Sequence, residues 1–342
     1  MKYEKSIDVA KGIGILLIIV GHSPFNKFIE TTVYAFHVPL FFFISGYLFN
    51  WRKYKMNTNQ FIFNKIKRLI VPYFLTNIII IISCYLISYL KIYDFKSGFL
   101  SLESLIGIIY GNSAPLNPPT IFTNVLDVPS WFLVCLFCGS IILYIIAYSH
   151  EKYSLSFSCF LCLLFILIGF KTSKYIYLPW GFDIACVSMI FMFPGYLMNY
   201  YSIQPFRSAQ KKNYISLLLV LILFTIIEIN GRVDMNLRNY ANPLFFAIGG
   251  LLGTHITMEL SKEIAKKENV LSKFLIFMGE NSLIILLYQS FTPRLFLNTI
   301  NVYIDIKEIV YNSGILYMFN LLIISILTVL FIKKIPILKD IY

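Results

Sequence analysis

Charged side chains are scarce in this 342-residue chain: Asp, Glu, Lys and Arg together make up 13% of it, about half the roughly 25% of an ordinary soluble domain. That shortage excludes a soluble enzyme. Acidic residues are the scarcer sign, 17 against 29 Lys plus Arg. No repeat of 20 to 50 residues and no low-complexity linker are visible, which excludes a solenoid or a flexible array. The first apolar stretch lacks a small-residue cleavage site and is interrupted by Lys11, so it is expected to be a retained helix and not a removed signal. No soluble domain is expected at either end.

Convincing metal ligands are also missing. Cys135 with Cys138 and Cys159 with Cys162 have CxxC spacing, but both pairs fall within apolar runs. Thiolates would have to form in hydrocarbon with no charge nearby, so these cysteines read as polarizable packing residues. The two histidines nearest each other, His22 and His37, have no carboxylate in the same stretch to complete a ligand set. No metal is expected.

What is present is apolar length. Hydrophobic residues make up 58% of the chain and the mean hydropathy is +0.73. Ten runs approach the 17 to 25 residues that a helix needs to cross the hydrocarbon core: 9–23, 32–50, 69–90, 131–149, 154–170, 181–199, 214–230, 241–259, 274–291 and 314–332. The fold class is all-α, a polytopic integral membrane bundle of about ten transmembrane helices forming one domain over 1–342. With both termini cytoplasmic, 20 of the 29 Lys and Arg fall inside, as the positive-inside bias requires. That bias also accounts for the net charge of +12 without nucleic acid as a partner. The long outer segment 91–130 holds an apolar patch, 102–110, too short to span, followed by Asn117, Pro118 and Pro119. It is expected to form a re-entrant or interfacial helix with a loop, placed to cap a substrate site on the outer face.

Ionisable groups inside a span are costly and mark function by default. Asp8, Lys11 and His22 lie on the first helix and His37 on the second. Eleven residues separate Lys11 from His22, which returns to within about 20° of one face and spans about 16 Å. Asp8 pairs with Lys11 across one turn; an end-of-helix ion pair with a snorkelling Lys11 is the plainer reading of those two. His37 is expected at the depth of His22, as base or orienting group, or as the cap of a kink at Pro39. At the cytoplasmic mouth of the third helix, Lys65 and Arg68 could grip phosphates of a cytoplasmic ligand, whereas Arg52, Lys53 and Lys55 read as topogenic charge. Trp131, Asp183, Glu228 and Glu280 sit near helix ends. His150, in a tight cytoplasmic turn, and His255, near a cytoplasmic helix end, are assigned structural roles.

These residues resemble a known family. DVAKGIGILLIIVGH, carrying Asp8, Lys11, Gly12 and His22, is similar to the first-helix pattern of the membrane-bound acyltransferase-3 family, in which Arg or Lys precedes ten residues and a His. FHVPLFFFISGYLF, KIKRLIVPYF, PSWFLVCLF and MIFMFPGYL resemble its fucose 4-O-acetylase-like branch, and GENSLIILLY extends the match to the ninth helix. Lys11 stands where Arg is common, and Gln289 where many members carry His.

The resemblance implies transfer of an acyl group, usually acetyl, from cytoplasmic acetyl-CoA, a co-substrate, to a hydroxyl of a cell-surface or lipid-linked sugar. The protein would then work in a bacterial inner membrane among its lipids. Lys11, Lys65 and Arg68 would hold the anionic coenzyme; His22 would remove the hydroxyl proton, with His37 orienting it and Asp8, Ser45 and Trp131 in support. An acyl-His or acyl-Ser45 intermediate is the alternative mechanism. A transporter or flippase of a lipid-linked saccharide, using the histidines and acidic residues as a proton relay, is the alternative function.

Overall fold

A computed structural model describes residues 5–90, 102–113, 122, 129–203, 213–301 and 306–342. The expected outer segment 91–130 lies largely outside the described residues. Its apolar patch is helical, as the run 102–110 predicts.

Among the described residues the chain is helical, apart from one isolated bridge between Asp234 and Asn239. Hydrocarbon offers no partners to backbone polar groups, so spans must bond internally. The order begins with α1 (Lys5–Gly21), α2 (Lys27–Tyr34) and α3 (His37–Tyr47). It continues through α4 (Trp51–Tyr54), α5 (Thr58–Lys65), a π turn (Ile66–Ile70), α6 (Val71–Tyr89), α7 (Leu102–Tyr110), α8 (Trp131–Lys152), α9 (Leu155–Thr172) and α10 (Phe182–Val187). Then come α11 (Met189–Tyr200), α12 (Asn213–Asn230), α13 (Pro243–Lys266) and α14 (Val270–Glu280). The last group is α15 (Ser282–Tyr288), α16 (Phe291–Asn301), α17 (Lys307–Asn312), α18 (Gly314–Lys334) and α19 (Pro336–Ile341).

Six helical stretches are long and apolar enough to span: Lys27–Tyr47, Thr58–Tyr89, Trp131–Lys152, Leu155–Thr172, Pro243–Lys266 and Gly314–Lys334. The number rises to eight if two broken pairs, Pro179–Val187 with Met189–Tyr200 and Val270–Glu280 with Ser282–Tyr288, each count as one span. Of the other expected spans, α1 has 17 residues and the apolar part of α12 is the shorter Leu217–Asn230. The expected ends move as well. His150 lies in the last turn of α8 and not in a loop, and His255 lies inside α13, which continues to Lys266.

The chain divides into two compact units, one of residues 1–50 and 190–283 and the other of 51–189 and 284–342. In the first, glycines set the helix crossings. A Cβ on Gly12 would overlap the carbonyl of Leu275, and one on Gly279 the carbonyl of Asp8, so α1 and α14 meet backbone to backbone, as small residues allow in membranes. Gly46 and Gly195 do the same for α3 and α11, against Met192 and Phe43. On α13, Gly253 receives the Phe36 ring and Gly250 lies against Phe191 and Pro39. Phe28 stacks on Phe224, joining α2 to α12.

In the second unit, α8 and α9 form a hairpin, with Ser154 capping α9. Gly169 lies against the Asp183 carbonyl, and Ser173 donates to Asp183 at 3.3 Å. α7 is pinned at its end: Tyr73 donates to the Ile108 carbonyl at 2.5 Å, Trp180 to Ile109 at 2.8 Å and Tyr110 to Tyr177 at 2.6 Å. Trp180 and Gly181 adopt positive φ to make that turn. Elsewhere in this unit, Trp51 donates to Glu151, which also pairs with Lys55 at 2.9 Å.

Candidate active site

The close crossing of α1 and α14 fixes the first charged pair. Because Gly279 touches the Asp8 backbone, the Asp8 side chain lies in the packed bundle, 10% exposed. A carboxylate so placed needs a counter-charge. Lys11 Nζ supplies it at 2.9 Å and stays 25% exposed, so the ammonium is anchored without being sealed off. At the same end of α1, Lys5 pairs with Glu268 at 2.5 Å, both exposed. The Lys5 ammonium holds the Glu268 carboxyl below its ordinary range.

α1 ends at Gly21, and His22 follows in the turn with its N–H on the Ile18 carbonyl at 3.0 Å. Its side chain is exposed. Lys11 thus lies within α1 and His22 one residue past its end; at helical rise, eleven residues correspond to about 16 Å. His37 is 5% exposed. Its Nδ1 is 2.7 Å from the Val33 carbonyl. A carbonyl can only accept, so this bond places the proton on Nδ1 and leaves Nε2 of the neutral ring with its lone pair.

The bond has a local cause. α2 stops at Tyr34 and α3 starts at His37, and Pro39 in the first turn of α3 supplies no N–H for continuous pairing. The Val33 carbonyl has only a long bond, 3.4 Å, from Phe36 N–H, and the imidazole completes it. His37 thus bonds back across the break between α2 and α3. His22 lies within electrostatic range of His37.

A charged group not foreseen from the sequence, Arg232, lies over the ring that packs on His37. Tyr34 meets His37 edge to face, with centroids 4.9 Å apart; it also lies against Gly21 and beneath the Arg232 guanidinium, 4.8 Å over the ring, with which it shares a side-chain hydrogen bond. Arg232 is held by Glu30 at 3.0 Å and Asp234 at 3.7 Å. Burial raises the Asp234 carboxyl above its ordinary range, against the lowering effect of the Leu237 N–H and Arg232. The loop 231–242 is built to present Arg232. The Asp234–Asn239 bridge closes it, Asn239 donates to the Arg232 carbonyl at 3.1 Å, and Asn230 accepts from Asn242 N–H at 2.8 Å. One signal was available: Glu30, Tyr34 and His37 are spaced by four and three, one helix face.

Ser45 is half-buried on α3, beside the Gly46 that touches α11. Lys65, Arg68 and Trp131 belong to the second unit. Lys65 ends α5 and Arg68 lies in the π turn; the two are within electrostatic range. Lys65 Nζ stands 5.8 Å over the Phe61 ring, and Arg68 is exposed. Pro72 has no N–H for the Arg68 carbonyl, and the widened turn lies just ahead of it. Such turns are frequent at functional sites, and spacing alone does not reveal them. Trp131 opens α8, 8% exposed. Among the described residues, no three His, Cys, Asp or Glu stand together as a metal site would need.

Comparison with known proteins identifies the chain at the level of family. No curated protein and no solved structure matches the chain. Residues 4–334 match the model of an acyltransferase domain, that of the acyltransferase-3 family. A helical membrane protein whose sequence matches that model over nearly its whole length belongs to the acyltransferase-3 family.

Proposed function

We propose that this chain is a sugar O-acyltransferase of the bacterial inner membrane, moving an acetyl or other short acyl group from cytoplasmic acyl-CoA to a hydroxyl of a cell-surface or lipid-linked saccharide. The observation that carries the reading is α1 with the turn that follows it: Lys11, an anchored, part-exposed ammonium, lies within the helix, and His22, an exposed imidazole, lies just past its end. The roughly 16 Å between them is comparable to the pantetheine arm of coenzyme A. In this reading α1, α12 and both broken pairs complete ten spans, with both termini cytoplasmic, and the chain acts as one domain.

The chemistry follows from the side chains. Lys11 holds the anionic coenzyme from the cytoplasmic side. His22 accepts the proton of the acceptor hydroxyl as its oxygen attacks the thioester carbonyl; the C–S bond breaks and the thiolate leaves, to be reprotonated from His22. His37, with Nδ1 committed to Val33, offers Nε2 as an acceptor that orients His22 or the hydroxyl.

The test is mass spectrometry of surface glycan and lipid-linked sugars from cells making the wild type or an equally expressed, folded His22→Ala variant. Gain of an acyl-sized mass with the wild type alone is the expected result. Equal glycan masses with a difference in the amount reaching the surface would replace this reading with the saccharide transporter.

A further inference from the structure

We infer that Tyr34 and Arg232 are positioning residues of the two-histidine site, and that the loop 231–242 belongs to that site as the element that delivers Arg232. The inference rests on the acyltransferase reading only where it predicts kinetics.

Tyr34 is the common neighbour. Its ring meets His37 at an interplanar angle of 83° and a centroid separation of 4.9 Å. On another side it lies against Gly21, the residue before His22: a Cβ built there would come within 3.1 Å of Tyr34 Cε2 and 3.3 Å of Val33 Cγ1. One ring thus contacts His37 and lies against Gly21, the residue before His22. The imidazole of His37 keeps its bond to Val33 in only one ring orientation, because turning it over would put Cδ2 toward the carbonyl. An aromatic neighbour packed edge to face limits that turn.

Tyr34 needs a hold of its own, and Arg232 provides it. The guanidinium lies 4.8 Å over the ring, a geometry that favours a planar cation. Arg232 is fixed in turn by two carboxylates on different elements, Glu30 on α2 and Asp234 in the loop. Two carboxylates against one guanidinium leave no surplus positive charge, so Arg232 is poorly suited to catch an anionic substrate. Its fork, joining α2 to the loop, suits it to hold a ring in place.

The experiment uses the full chain in nanodiscs with 15N-labelled histidine. Only four imidazoles are present, and a His37→Gln variant assigns the His37 signal. The wild type is expected to show His37 as a single neutral tautomer protonated at Nδ1. Arg232→Ala and Tyr34→Leu should each give a tautomer mixture and a 10- to 100-fold lower kcat for acyl transfer from acetyl-CoA, with KM for acetyl-CoA unchanged. Tyr34→Phe, which keeps the ring but loses the phenol's hydrogen bond with Arg232, should fall between the wild type and Tyr34→Leu in both readouts. If Arg232→Ala does not fold, Arg232→Lys decides: it keeps the charge and loses the fork, so a lowered kcat at constant KM supports the inference. A folded Arg232 variant with the wild-type His37 signal and kcat overturns it. Should the wild type transfer no acyl group while the His37 signal still responds to Arg232→Ala, the acyltransferase reading fails and the positioning pair stands.

Discussion

Gly279 of α14 lies so close to the backbone carbonyl of Asp8 that a methyl group there would overlap it. This contact seats α1 in the bundle and places the carboxylate that anchors Lys11 at 2.9 Å. Larger residues cannot be accommodated, and overpacking costs about 1–3 kcal/mol or more. Gly279→Val should lower the melting temperature in detergent, with Gly12→Val behaving alike. A variant melting with the wild type would show that the crossing is not tight.

Lys11→Ala removes the counter-charge of a mostly buried carboxylate. The loss should stay below the roughly 3–5 kcal/mol of a fully buried pair, because Lys11 is a quarter exposed. Acetyl-CoA binding and turnover should both weaken. Lys11→Arg should retain activity, since a guanidinium can serve both Asp8 and a phosphate. Titration of each variant with acetyl-CoA checks this, and an inactive but folded Lys11→Arg would count against the proposed grip.

His37 has two separable duties, the bond to Val33 and the lone pair on Nε2. His37→Phe should lose both, with about 1–3 kcal/mol of stability for the buried carbonyl left short of a partner. His37→Asn can donate to the carbonyl one turn back but offers no imidazole nitrogen. It should melt close to the wild type and transfer acyl groups at least tenfold more slowly. Parallel melting and rate measurements separate the two duties.

Asp234 gives a pH dependence of defined sign. Its carboxyl is raised in the folded state by burial, so the folded protein binds that proton more tightly than the unfolded chain does. The resulting stability is fully present below the ordinary Asp value, near 3.8, and is lost as pH rises through the raised folded value. Asp234→Asn lacks this term. The melting temperature of the wild type minus that of the variant should therefore fall as pH rises across this window. A difference independent of pH would mean that the carboxyl is not held in that environment.

Gly21→Ala tests the packing at the end of α1. The added methyl would press on Tyr34 and Val33 at 3.1 and 3.3 Å, close enough to require a shift of a few tenths of an ångström. Because Tyr34 also touches His37, kcat should fall several-fold while KM for acetyl-CoA holds. Steady-state kinetics on the purified variant reads both.

Much of the architecture was legible in residue order alone. Apolar length and the shortage of charge specify a helical membrane protein, because a backbone in hydrocarbon must bond to itself. The spacing of Lys11 and His22 puts both near one helix face, because helical pitch is fixed; α1 itself ends at Gly21, one residue short of His22. Asp8 and Lys11 pair as neighbours one turn apart must. Tertiary structure decided what local rules cannot reach. The hydropathy run 32–50 reads as continuous, but the chain breaks at residues 35–36 between α2 and α3, and His37 Nδ1 meets the Val33 carbonyl across that break. Lys65 and Arg68 read as one α-helical turn, whereas the chain widens there into a π turn ahead of Pro72. Arg232 and Tyr34, almost 200 residues apart, meet because the loop 231–242 folds on its own bridge and returns beside α2. Periodicity reports the face of a helix on which a side chain lies; what that face meets depends on crossings set by backbone contact at Gly12, Gly46 and Gly279.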